Sequence, residues 1–88
     1  MMKRNPPRRG PSALVSDWAM EYVKRDSESK VKTSYAYGAF LDWLKQQEDN
    51  RFVDAREFTR LMGSRYTPPV ESDDGWFYEG IQLRPASR

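Results

Sequence analysis

The sequence predicts a small α+β domain of three helices closed by a C-terminal β-hairpin. Three observations predict it. Tyr37, Phe40, Leu41 and Leu44 recur at i, i+3, i+4 and i+7, one stripe of an amphipathic helix. Asp54 to Gly63 carries helix punctuation at both ends. Asp74-Gly75 is a tight-turn signal, followed by the aromatic and branched run Trp76 to Leu83.

The first helix is expected from Ser12, a good N-cap after Pro11. Leu14, Val15, Trp18, Ala19 and Tyr22 make its apolar stripe, and Asp17 and Glu21 fall outside it. It is expected to run to about Lys24-Arg25, where cations suit the helix dipole. Asp26 to Ser29 is polar and reads as a loop. Lys30-Val31-Lys32 alternates and reads as a short strand. Thr33 or Ser34 is expected to cap the second helix, which ends near Gln47. Trp43 flanks its stripe, and Gly38 lies on the opposite side, weakening the helix by about 1 kcal/mol relative to Ala.

The third helix is short. Asp54 is the N-cap, Glu57 three residues on completes a capping box, and Val53 with Phe58 forms a hydrophobic staple. Gly63 stands where a left-handed C-terminal cap belongs. At 100° per residue, Ala55, Phe58, Leu61 and Met62 share one face. Arg56 and Arg60 fall opposite, with Thr59 beside them. Beyond it, Arg65-Tyr66-Thr67 and Trp76 to Leu83 read as the two arms of a hairpin with a long tip of about 8 residues. Phe77, Ile81 and Leu83 are expected inward, and Trp76, Tyr78 and Gly80 on the other side.

Composition narrows the function. The chain has 88 residues with no Cys and no His. Thiolate and imidazole chemistry are therefore absent, which argues against an enzyme. No GxxxxGK[ST] phosphate loop and no acidic metal cluster is found. No run approaches 18 apolar residues, and the basic start lacks the apolar core of a secretory signal, so the cytosol is the expected compartment. Residues 1–11 hold Lys3, Arg4, Arg8 and Arg9 without an acid, and read as a disordered basic arm. Residues 84–88 read as a flexible tail with Arg84 and Arg88. The chain is +2 overall, so the expected domain, 12–83, is net −4.

The element order is that of a winged helix-turn-helix, in which the third helix projects one face toward a DNA major groove. Arg56, Thr59 and Arg60 are the candidates for base edges or phosphates. Arg51, Ser64, Arg65, Lys30 and Lys32 are candidates for backbone contact on either side. For all of these, the alternative is an ordinary solvated surface, with Arg56 and Arg60 pairing Asp54 or Glu57. Trp18, Tyr37, Phe40, Trp43 and Phe58 are expected in the core.

Three stretches also carry a resemblance: Tyr37-Gly38-Ala39-Phe40-Leu41-Asp42-Trp43, Phe58-Thr59-Arg60-Leu61 and Tyr78-Glu79-Gly80-Ile81-Gln82-Leu83. In this order they resemble the C-terminal winged-helix module of phage and plasmid primase–helicases of the poxvirus-like class, over about residues 12–83. The resemblance implies a non-catalytic module of a phage or other mobile element that binds double-stranded DNA in replication or regulation. One feature departs from it: the expected wing tip carries Glu71, Asp73 and Asp74, where phosphate contact calls for Lys or Arg. A second reading follows. On the same fold, a small inhibitor would use these acids, with Trp76 and Tyr78, to occupy a nucleic-acid surface of a replication or host defence protein.

Overall fold

A computed structural model describes residues 10–47 and 52–84. Its elements are α1 (Pro11–Tyr22), β1 (Val23–Lys32), α2 (Thr33–Lys45), α3 (Ala55–Arg65), β2 (Val70–Ser72) and β3 (Gly75–Leu83). The fold is α+β, with three helices and a three-stranded antiparallel sheet ordered β1-β3-β2.

The helices start where local chemistry allows. Pro11 occupies the first turn of α1, where its missing N–H costs nothing, and Gly10 rather than Ser12 is the N-cap. Pro11, placed in the basic arm by sequence, is thus helical; the rest of that arm, 1–9, and the tail 85–88 lie outside the described residues. α1 ends at Tyr22, short of the expected Lys24-Arg25, because Val23, Lys24 and Arg25 pair with Leu83, Gln82 and Ile81. α2 is capped by backbone geometry at Lys32, without a side-chain bond from Thr33 or Ser34, and ends at Lys45. Asp54 caps α3 as expected, its carboxylate accepting the Glu57 amide at 2.9 Å. α3 runs on through Gly63 to Arg65. Gly63 is an interior helix residue, where a Cβ would reach van der Waals contact with Pro68 Cα on the returning chain at 3.4 Å.

The sheet is larger than expected. Asp26 to Ser29 belongs to β1 as a bulge, four residues facing the single Gly80 between the pairs Arg25–Ile81 and Lys30–Glu79. Asp26 closes the bulge. Its carboxylate accepts from the Glu28 amide at 3.0 Å, the Ser29 hydroxyl at 2.9 Å and the Gln82 side-chain amide at 2.9 Å. Gly80 has φ +84°, a left-handed conformation suited to glycine. The β2–β3 turn has only two residues, Asp73 and Asp74, in place of the long expected tip. Arg65 to Thr67 forms no strand, because α3 takes up Arg65 and β2 begins at Val70.

The core lies between the helices and one face of the sheet. Trp18, Phe40 and Phe58 are fully buried at its centre, with Phe40 and Phe58 stacked at 5.0 Å and Trp18 edge-on to Phe40 at 5.7 Å. Tyr37 and Trp43 pack partly buried around it. Val31 and Tyr78, a cross-strand pair, and Ile81 supply the sheet's share. Tyr78 is thus inward, contrary to expectation, and Phe77 points outward. The positive φ at Gly80 resets the alternation, so both Tyr78 and Ile81, three apart, reach the core.

Candidate nucleic-acid interface

α3 is held by one side only. Phe58 and Met62 are 0% exposed beneath it, while Arg56, Arg60 and Ser64 are exposed. At 100° per residue these three lie within an arc of about 80°, a single row along the helix. Thr59, expected beside the arginines, is half-buried and turned toward the sheet. There it approaches the Tyr78 hydroxyl, which is buried without a hydrogen-bond partner of good geometry. Burial pushes the Tyr78 phenol pKa up, and the Thr59 side chain opposes this in part.

The two arginines differ electrostatically. Arg60 grips the Glu57 carboxylate in a fork, Nε to Oε1 at 3.1 Å and a terminal nitrogen to Oε2 at 2.6 Å. Arg60 draws the Glu57 carboxyl below its ordinary range, and Glu57 raises the Arg60 guanidinium in turn. Glu57 therefore serves Arg60 rather than closing the expected capping box. Arg56 has no bonded partner among the described residues. Arg51 lies outside them.

Lys30 and Lys32 do not join this surface. They flank Val31, which faces the core, so they stand on the opposite face of the sheet. There both ammonium groups sit over the Phe77 ring, at 4.5 and 6.0 Å from its centroid. The strand register thus sets both lysines apart from α3.

Arg65 instead folds around the end of α3. It donates to Ser16 Oγ of α1 at 3.1 Å and to the Tyr66 hydroxyl at 3.4 Å. Arg25 comes to the same place, its Cζ 4.9 Å from the Tyr66 centroid. Arg25 is paired with the buried Ile81, which puts it on the helix side of the sheet. Arg25 and Tyr66 were not candidates by sequence. The signal for Arg25 was its charge, which the expected helix end absorbed.

The acidic set is partly assembled. Asp73 and Asp74 are exposed at the turn, and Glu71 on β2 pairs with Trp76, which is 48% exposed. Tyr78 does not belong to it, being 0% exposed because it fills the core beside Val31. Elsewhere, a groove of about 510 Å³ lies among Trp18, Tyr22, Tyr35, Trp43 and Leu83, and α3 contributes nothing to it. Among the described residues, no cluster of three or more His, Cys, Asp or Glu is placed to hold a metal, and no helix is long and apolar enough to cross a membrane.

The chain matches no family model, no curated protein and no solved structure. Its class is therefore set by its own architecture, an α+β domain of three helices and a three-stranded antiparallel sheet.

Proposed function

We propose that this chain is a winged-helix domain that binds duplex DNA, with α3 in the major groove and the β2–β3 hairpin as the wing. The order α1-β1-α2-α3-β2-β3 and the strand arrangement β1-β3-β2 support the fold reading. The observation that carries the function is the one-sided anchoring of α3: Phe58 and Met62 hold it from below, and Arg56, Arg60 and Ser64 stand in a row outward. The role is reading or positioning on DNA without chemistry, in the replication or regulation of a phage or mobile element, as the primase–helicase resemblance implies. The experiment is titration of labelled duplex DNA at several salt concentrations. Binding is salt-sensitive, and changing Arg56→Ala together with Arg60→Ala weakens it at least tenfold; unchanged affinity in the double variant refutes the reading.

A second reading is favoured by the turn. Glu71, Asp73 and Asp74 are all exposed, beside a half-exposed Trp76. Such a tip repels phosphate and suits a basic protein surface. On this reading the chain is a small inhibitor that occupies the nucleic-acid channel of a replication or defence protein. Neutralising the three acids to amides abolishes capture of such a partner, and full retention eliminates it.

A further inference from the structure

Arg25, Tyr66 and Arg65 meet where α3 ends against α1 and β1. Two guanidinium groups share one ring: Arg25 Cζ lies 4.9 Å and Arg65 Cζ 5.7 Å from the Tyr66 centroid. The cluster is tied to the fold from three sides. Arg25 donates to the Arg65 carbonyl oxygen at 3.4 Å, Arg65 donates to Ser16 Oγ at 3.1 Å, and Arg65 Nε donates to the Tyr66 hydroxyl at 3.4 Å. Neither guanidinium is paired with a carboxylate among the described residues, in contrast to Arg60 with its fork on Glu57.

Two like charges gathered without a counter-ion repel each other. The C-terminal end of α3 accounts for Arg65, whose charge the helix dipole favours. Arg25 arrives from β1, 40 residues earlier in the chain, stands on the helix side of the sheet while Lys30 and Lys32 stand on the other, and donates to the same helix end at the Arg65 carbonyl oxygen. Both side chains are exposed, and most of their N–H donors point at no protein group. The donors left over on two neighbouring guanidinium groups suit contact with a phosphate.

The geometry points to a phosphodiester clamp. Resting on the reading of the chain as a duplex-DNA binder through α3, we assign Arg25 and Arg65, oriented by Tyr66, to one backbone phosphate outside the groove that Arg56 enters. At about 100° per residue Arg65 stands about 180° around α3 from Arg56, and it reaches Ser16 of α1, so the phosphate it would meet lies away from the Arg56 face.

The test uses the full chain, a 16-base-pair duplex, and inorganic phosphate as a separate probe. Arginine Nε–H resonances are followed by NMR, and affinity is measured against salt for wild type and the Arg25→Gln, Arg65→Gln double variant. The expected result is that both resonances move with the duplex. The double variant then binds at least fivefold more weakly, and its log–log salt slope is shallower by about one. A Tyr66→Leu variant keeps the slope's charge but loses affinity, since only the orientation is removed. Duplex binding with unmoved Arg25 and Arg65 resonances and an unchanged slope overturns the clamp and leaves the α3 reading standing. No duplex binding, with the two resonances still moving on phosphate, overturns the α3 reading and retains the site as a phosphate site. No response to either probe overturns both. Matching thermal melts of the variants and wild type establish that each is folded.

Discussion

The Tyr37 hydroxyl of α2 donates to the Val53 carbonyl oxygen at 2.7 Å, one residue before the Asp54 cap of α3. This bond sets the entry to the exposed helix. Val53 is 2% exposed, so no water replaces the donor once it is lost. Tyr37→Phe therefore lowers stability by about 1 kcal/mol, a drop in melting temperature of roughly 4–8 °C for a domain of this size. Urea and thermal melts check this. Duplex affinity falls with it to the extent that the bond holds α3 in place.

Tyr78 predicts the reverse. Its hydroxyl is buried with no hydrogen-bond partner of good geometry, so the desolvation cost of that group is already present in the folded state. Tyr78→Phe removes the cost and keeps the ring. The melting temperature stays level or rises, and a fall of several degrees would show a partner that the geometry lacks.

Glu57 competes for the guanidinium that α3 offers to DNA. The carboxylate is 2.6 Å from Arg60 and also brings a negative charge to the helix face. Glu57→Gln frees Arg60 and raises duplex affinity about threefold, comparable with the worth of an exposed ion pair. Fluorescence anisotropy measures it. An affinity that falls would instead mean that Glu57 positions Arg60 for contact.

Two glycines give opposite signs. Gly38 lies within α2, and a methyl group at its Cβ position would meet nothing within 4 Å, so Gly38→Ala stabilises by about 1 kcal/mol through helix propensity. Gly80 also has open space, but its φ of +84° strains any L side chain. Gly80→Ala costs about 1–2 kcal/mol and loosens the bulge opposite it. Denaturant titrations of the two variants, side by side, separate space from backbone strain.

Acid weakens the bulge. The Glu28 amide and the Ser29 hydroxyl hold the Asp26 carboxyl below its ordinary pKa. A carboxyl lowered in the folded chain contributes stability above its unfolded pKa, and that contribution is lost as pH falls through the folded value. Stability therefore declines as pH falls through and below the ordinary carboxylate range, and Asp26→Asn makes the decline shallower. Glu57, lowered by Arg60, adds to the same slope. The midpoint of urea unfolding against pH, for wild type and the variant, reads it directly.

How much of this was legible in the chain follows from range. The Asp54 cap and the division of α3 into Phe58 and Met62 below, Arg56 and Arg60 above, depend on residues three or four apart, and local spacing is what a sequence states openly. The aromatic centre was legible for the same reason. Asp26 to Ser29 has no strand character of its own; it is in the sheet because Gln82, 56 residues away, reaches Asp26. The short turn at Asp73-Asp74 was hidden by Pro68-Pro69, which suggested a longer opening than the pairing of Ser72 with Gly75 leaves.

By itself, then, the sequence determined the three helices, the last strand, and which side of α3 is greasy and which is cationic. Tertiary structure alone decided the neighbours of each charge. Strand register put Lys30 and Lys32 over Phe77 and away from α3, brought Arg25 to Arg65 and Tyr66, and turned Tyr78 inward past Gly80. The physical reason is that a strand's two faces are exchanged by a one-residue shift, and the shift is set by a partner strand far along the chain.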